Sequence, residues 1–201
     1  MGKMEIRQLR ELQKRGKKLR LAAEWKKPWQ SLISTILSAR TTDVKTNEVS
    51  KILYRKYGNI QKLAKASLKD IERIVHPVNF YRNKAKSISG LAKIIVRDYG
   101  GKIPKDFDKL LELPGVGRKT ANVFLAHQGG AHIGVDTHVA YISRKLGWTH
   151  QSKPEKIEQD LEKIFPKRLW RSVNYVVVRF GQTYKSRREK DKILARVRGI
   201  K

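Results

Sequence analysis

Between Asp106 and Gln128 the chain reads DFDKLLELPGVGRKTANVFLAHQ, and the middle of this stretch is suited to meeting a phosphate. Phe107, Leu110 and Leu111 fall on one side of a short helix. Leu113-Pro114-Gly115-Val116-Gly117 reads as a tight turn, and Arg118 to Gln128 as a second helix with Ala121, Phe124 and Leu125 on its inner side. Proline sets one backbone angle, and the two glycines permit left-handed geometry or the close approach of a ligand. Because the second helix starts at the turn, its first N–H groups and its positive dipole end face outward, toward an anion. Lys119 stands in that first turn beside Arg118. A lysine amine is a nucleophile only when neutral, and positive surroundings work against its charged form. Taken alone, Lys119 reads first as one of many lysines that bind phosphate. Asp136 precedes Thr137-His138-Val139. It reads as a carboxylate that accepts a proton or offsets positive charge, as a helix N-cap, or as both.

The elements around these residues are predicted to be helices. Trp29, Leu32, Ile33, Ile36 and Leu37 follow the spacing of a buried helical stripe. A second helix runs from about Val44 to Tyr57 and stops at Gly58. Ser67 and Asp70 resemble a capping box ahead of Ile71, Ile74 and Val75, and Pro77 ends that helix. Asn83 to Tyr99 keeps Ile88, Leu91 and Ile95 in phase up to Gly100-Gly101. Ser152 and Glu155 read as a second capping box ahead of Ile157, Leu161, Ile164 and Phe165. Leu169 to Phe180 is ambiguous, because Val176-Val177-Val178 favours strand locally. No alternating partner strand is visible, so the stretch reads as helix.

Lys and Arg number 46 against 18 Asp and Glu, a net charge of +28. A body this basic attracts polyanions, and nucleic acid is the expected partner. The two ends are the most basic parts, each either a mobile phosphate-binding arm or a docked amphipathic helix. The tail favours the helix through Ile193, Leu194 and Val197. There is no cysteine, which excludes disulfides, thiolate nucleophiles and cysteine-bound clusters. No run approaches the ~18 apolar residues of a membrane span. The N-terminal MGKMEIRQLRELQKRGKKLR lacks a signal peptide's apolar core, so an intracellular, soluble monomer is expected.

LPGVGRKTANVFL resembles the helix-hairpin-helix of the endonuclease III family of DNA glycosylases (the HhH-GPD class). VDTHVAYISRKLG resembles the segment of that family bearing its catalytic aspartate, and LISTILSARTTDVKTNEV and FYRNKAKSI are similar at the expected places and in the expected order. The resemblance covers roughly residues 25–182. It implies an all-α fold of two helical domains, with DNA and the active site at the cleft between them. The central domain would be 25–130, and the second would join 1–24 to 131–201.

The resemblance makes Lys119 the catalytic amine and Asp136 its carboxylate partner. It also implies that the target nucleotide leaves the stack. Arg40 and Phe80 stand where the family places its two wedging loops, with Tyr81 in the second. Arg40 replaces the family's more familiar glutamine, and an arginine fork suits a guanine edge. Gly115 and Gly117 are expected to offer N–H groups to DNA phosphate. Arg118, Thr120 and Lys84 are further expected DNA contacts, and His138 a supporting residue on the DNA side. The turn's carbonyls admit a monovalent or divalent cation, as in related hairpins, and no metal residue is assigned. The family often ends in a four-cysteine loop holding an iron–sulfur cluster. Here YKSRREKDKILARVRGIK takes its place with no cysteine, Lys185 standing near the first.

The implied activity is base excision of damaged pyrimidines such as thymine glycol, coupled to AP-lyase β-elimination, on duplex DNA holding a damaged or mismatched base or an abasic site. A thymine or uracil glycosylase for G·T and G·U mismatches is the near alternative, kept open by Arg40. A non-catalytic helix-hairpin-helix DNA-binding protein fits the composition but has no use for Lys119 and Asp136 together. An RNA-binding protein fits the charge alone.

Overall fold

The computed structural model describes residues 2–200. The chain is all-α. In order it forms α1 (Lys3–Arg15), α2 (Pro28–Leu37), α3 (Asp43–Tyr57), α4 (Ile60–Ala64), α5 (Leu68–Val75), α6 (Tyr81–Tyr99), α7 (Phe107–Leu111), α8 (Arg118–His127), α9 (Thr137–Leu146), α10 (Pro154–Ile164), α11 (Trp170–Thr183) and α12 (Arg187–Arg198). A 3-10 turn, Lys167–Leu169, precedes α11. No strand occurs among the described residues. The helices divide into a continuous unit, Ala22–Gln128, and a second unit that joins the segment through Leu21 to the segment from Gly129 onward.

In the continuous unit α2 is the innermost element. Its sequence PWQSLISTIL carries no charge and is buried nearly all round, as a core helix must be. Its buried hydroxyls are bonded: Ser31 Oγ donates to Ala23 O at 2.8 Å, and Ser34 Oγ meets Ser50 Oγ at 2.9 Å and the Tyr54 hydroxyl at 2.6 Å. That satisfies polar groups that would otherwise oppose burial. α2 packs on α3 and α8, and α6 packs on α4 and α5. Leu32, Ile33 and Leu37 share one core with Ile88, Leu91, Ile95 and Phe124. α6 begins at Tyr81, two residues ahead of the predicted start, because Phe80 takes the N-cap position.

The second unit is built around α11, whose Val173, Val177 and Phe180 are fully buried. The β-branched run Val176-Val177-Val178 is helical because all three side chains are buried in a helical core, which overrides their local preference. α1 and α9 pack against α11, and α12 packs against α9 and α1. The basic tail is therefore a docked helix, with Leu194 and Val197 buried. Asp191 accepts from the Tyr141 hydroxyl and, at 2.9 Å, from Lys145 Nζ, pinning α12 to α9. Gln8, fully buried on α1, accepts from Trp148 Nε1 at 2.7 Å and donates to Arg198 O at 3.3 Å. The capping box expected at Ser152 does not form. α10 starts at Pro154, with Lys153 as an uncapped N-cap. Proline lacks the N–H and is preset for the first helical position, which moves the helix start one residue past that expectation.

Candidate active site

The α7–α8 turn packs on its unit through buried Leu113 and Val116, and its tightest approach to α6 is at Gly115. Gly115 has φ +78°, and a Cβ built there would lie 2.7 Å from Ser87 Cβ and 2.9 Å from Ser87 Oγ. Both the backbone angle and the approach of α6 require glycine. Three residues along α6 from Ser87, Gly90 faces Pro114 at ordinary contact distance, so small residues on α6 form the floor under the turn. Gly117 differs from the expectation for it. Its φ is −97°, open to any residue, and a Cβ there would meet nothing within 4 Å. It is the N-cap of α8 with no side chain capping the first turn, and its bare face opens outward.

Lys119 is the second residue of α8 and half-buried, as is Thr120. Arg118 is exposed, and its guanidinium lies over the Phe107 ring at 5.2 Å, a cation–π contact that ties α8 to α7. The turn thus gathers Gly115, Gly117, Arg118, Lys119 and Thr120 at one helix start.

A second group lies in the same unit. Arg40 and Phe80 are the non-glycine residues with positive φ among those described, at +54° and +59°. Both are exposed, and the Arg40 guanidinium sits 5.5 Å from the Phe80 ring centroid. Tyr81 turns the other way, half-buried and 4.6 Å from the His76 ring. Lys84 departs from its expected place at a phosphate. It is buried, and Nζ donates to Leu37 O at 2.7 Å, Ala39 O at 2.6 Å and Thr41 Oγ1 at 3.2 Å. An ammonium has three protons, and these three oxygens use them.

Asp136 belongs to the other unit. It is the N-cap of α9, with Oδ1 accepting from Val139 N at 2.8 Å, and it is half-buried. Its cap role is observed, and a half-buried capping carboxylate still keeps an exposed side. His138 is half-buried against α11, where a Cβ at Gly181 would lie 2.3 Å from its Nδ1. Gly181 escaped the sequence reading, although a glycine inside a valine-rich helix signals a close neighbour. Asn79, Thr41 and Ser87, whose contacts hold the two groups of the continuous unit, carried no sequence signal.

Among the described residues no cluster of His, Asp or Glu is disposed to hold a metal ion. Where the resemblance would put a cluster-bearing loop, α12 turns Leu194 and Val197 inward. These hydrocarbon side chains supply no thiolate, so the residues present do not fit an iron–sulfur cluster. No helix among the described residues is long and apolar enough to cross a membrane.

Residues 33–167 match the model of the HhH-GPD superfamily of base excision DNA repair proteins. An endonuclease III of Thermotoga maritima is 43% identical over 156 residues, 77% of this chain and 73% of that protein. One from Synechocystis sp. is 41% identical over 161 residues, 79% of this chain and 74% of that protein. A solved structure of a trapped endonuclease III–DNA covalent intermediate superposes with a TM-score of 0.84 at 34% identity, covering 92% of this chain and 89% of that one.

Proposed function

This chain belongs to the HhH-GPD superfamily and is a base-excision DNA glycosylase and AP lyase; within that class we propose that it acts on damaged pyrimidines in duplex DNA through a Schiff base on Lys119. The observation that carries this reading is the setting of Lys119. It is half-buried, one residue into an uncapped helix start, directly after a turn whose bare face suits a phosphate. The neutral amine attacks the sugar C1′, and the C1′–N bond to the base breaks. The base leaves with the bonding pair, and loss of the amine proton and ring opening give an imine. A base then removes a C2′ proton, and the electron pair expels the 3′ phosphate. Asp136 is assigned the carboxylate that takes up a proton or offsets positive charge on the sugar as the base departs. Gly115 and Gly117 N–H groups hold a backbone phosphate, helped by Arg118 and Thr120, and His138 is a further supporting residue for DNA. Arg40 and Phe80 fill the space left by the flipped nucleotide. The protein works as an intracellular monomer, without a resident cluster, and the hairpin admits a cation. Arg40 favours one second reading, a G·T or G·U mismatch glycosylase, since its exposed guanidinium lies 5.5 Å from the Phe80 ring and an arginine fork suits a guanine edge.

Borohydride trapping tests both. Duplexes carrying thymine glycol, a G·T mismatch or a G·U mismatch are incubated with the protein and with Lys119→Ala. The expected result is a covalent adduct on thymine glycol that vanishes in the variant. Base release without an adduct would make the enzyme monofunctional and overturn the role of Lys119. A strongest adduct on the mismatches would select the second reading. Tight, salt-sensitive binding with neither adduct nor base release on any of the three duplexes would leave a DNA-binding protein for those lesions.

A further inference from the structure

Lys84 is a buried charge that meets no opposite charge among its hydrogen-bond partners. Leu37 ends α2, and the carbonyls at a helix end have no partners within the helix and carry its negative dipole end. Lys84 reaches them from another helix, one turn into α6, and also takes Ala39 O in the following loop. Its third acceptor, Thr41 Oγ1, is shared: Asn79 N donates to the same oxygen at 3.3 Å. Asn79 then returns to the first loop, with Nδ2 donating to Arg40 O at 2.5 Å. The result is a closed ring of contacts through Lys84, Thr41 and Asn79. It joins the loop after α2 to the loop before α6.

Arg40 and Phe80 sit at the tips of those two loops, both in the left-handed backbone region that non-glycine residues avoid. Strained residues persist only where the surroundings overdetermine them. The ring supplies that constraint, since Asn79 holds the carbonyl of Arg40 and stands next to Phe80 in the chain. Burial pulls the Lys84 amine down to about 8, still above neutrality, so it remains an ammonium with three donors at pH 7.

We propose that Lys84 is a positioning residue that fastens the two loops together, so that Arg40 and Phe80 meet DNA as one preassembled wedge. This rests on the reading that those two residues enter the duplex. Without the fastening, each loop relaxes toward ordinary backbone angles, and the wedge must be rebuilt at every encounter.

The test uses a duplex with a tetrahydrofuran abasic analogue opposite 2-aminopurine, whose fluorescence rises when the orphaned base is unstacked. Lys84→Met removes the donors at similar size. Asn79→Ala removes the side-chain contact to Arg40 O at an exposed residue and serves if the first variant does not fold. Phe80→Ala runs in parallel. The expected result, with DNA binding saturated, is a fluorescence rise cut severalfold in both Lys84→Met and Asn79→Ala. Borohydride trapping on a duplex abasic site should slow about tenfold, while trapping on a single-stranded abasic oligonucleotide, which needs no wedge, stays within about twofold. Equal slowing on both substrates would make Lys84 an ordinary core residue and overturn the proposal. So would a full fluorescence rise in Lys84→Met or, where that variant does not fold, in Asn79→Ala, provided Phe80→Ala loses its rise. If Phe80→Ala itself keeps the full rise, the wedge reading fails, and the positioning role with it.

Discussion

Gly115 and Gly117 are two residues apart and identical in type, and the structure assigns them different work, which alanine should separate. At Gly115, φ +78° costs an L-residue roughly 1–2 kcal/mol. The added methyl also lands 2.7 Å from Ser87 Cβ, an atom that no rotamer change can move. The turn must then lift off α6, an overpacking cost of about 1–3 kcal/mol. Less the unfolded-state gain of about 0.4–1 kcal/mol, Gly115→Ala should lose roughly 2–4 kcal/mol. For a chain of this size that lowers the thermal midpoint by about 5–15 °C. At Gly117 the angle is ordinary and the space open, so Gly117→Ala should change the midpoint by less than about 3 °C. Its methyl instead occupies the face assigned to phosphate. DNA affinity should fall about tenfold or more, the value of one charge-assisted hydrogen bond. Calorimetry gives the midpoints and fluorescence anisotropy the affinities. A cycle with Ser87→Gly isolates the steric part, and it should show a coupling of about 1–3 kcal/mol with Gly115→Ala. A Gly115→Ala protein that melts with the wild type, or a cycle without coupling, would refute this account of the turn.

Asp136→Asn should keep the cap on α9 and the wild-type midpoint, whereas Asp136→Ala should lose about 1 kcal/mol. Both should slow base release at least about a hundredfold, and a fully active Asn variant would remove the carboxylate from the chemistry. Deleting the chain after Tyr184 uncovers the sites of Leu194 and Val197 and should cost roughly 3–6 kcal/mol in chemical denaturation. A truncation with full stability and full DNA affinity would refute any role for α12 in either. The Lys84 proton leaves the folded chain at about 8, against an ordinary 10.5. Between those values the unfolded state binds more protons, so wild-type stability should rise with pH relative to Lys84→Met. A pH-independent difference between the two proteins would contradict the burial assigned to Lys84.

What the sequence makes legible here is what repeats or interrupts a period. The stripe of α2, the stops at Gly58 and Gly100, and the turn Leu113 to Gly117 all announce themselves. The triple valine of α11 shows the limit, because its helical state is decided by neighbours distant in the chain. Side-chain destinations are less legible still. Lys84 looks like any of the chain's many lysines, and only the arrival of Leu37 and Ala39 beside it reveals a clamp. Gly117 looks like a conformational requirement and is instead an open face. Asn79 and Ser87 act through contacts with residues 39 and 28 positions away, which no local pattern records.

The hydrogen bond from Gln8 to Arg198 spans 190 positions, and it sets an order of events during synthesis. The unit from Ala22 to Gln128 is continuous, so it can close on itself as soon as its last helix has left the ribosome. α1 is made ahead of the rest of its unit yet lacks its main packing partners until α11 and α12 exist. At ordinary translation speeds that wait is on the order of ten to thirty seconds. Throughout it Leu9 and Leu12 stay uncovered on a basic helix beside a nascent chain. The least protected moment of this unit therefore falls before α12 is made, and a holding chaperone should be found on α1.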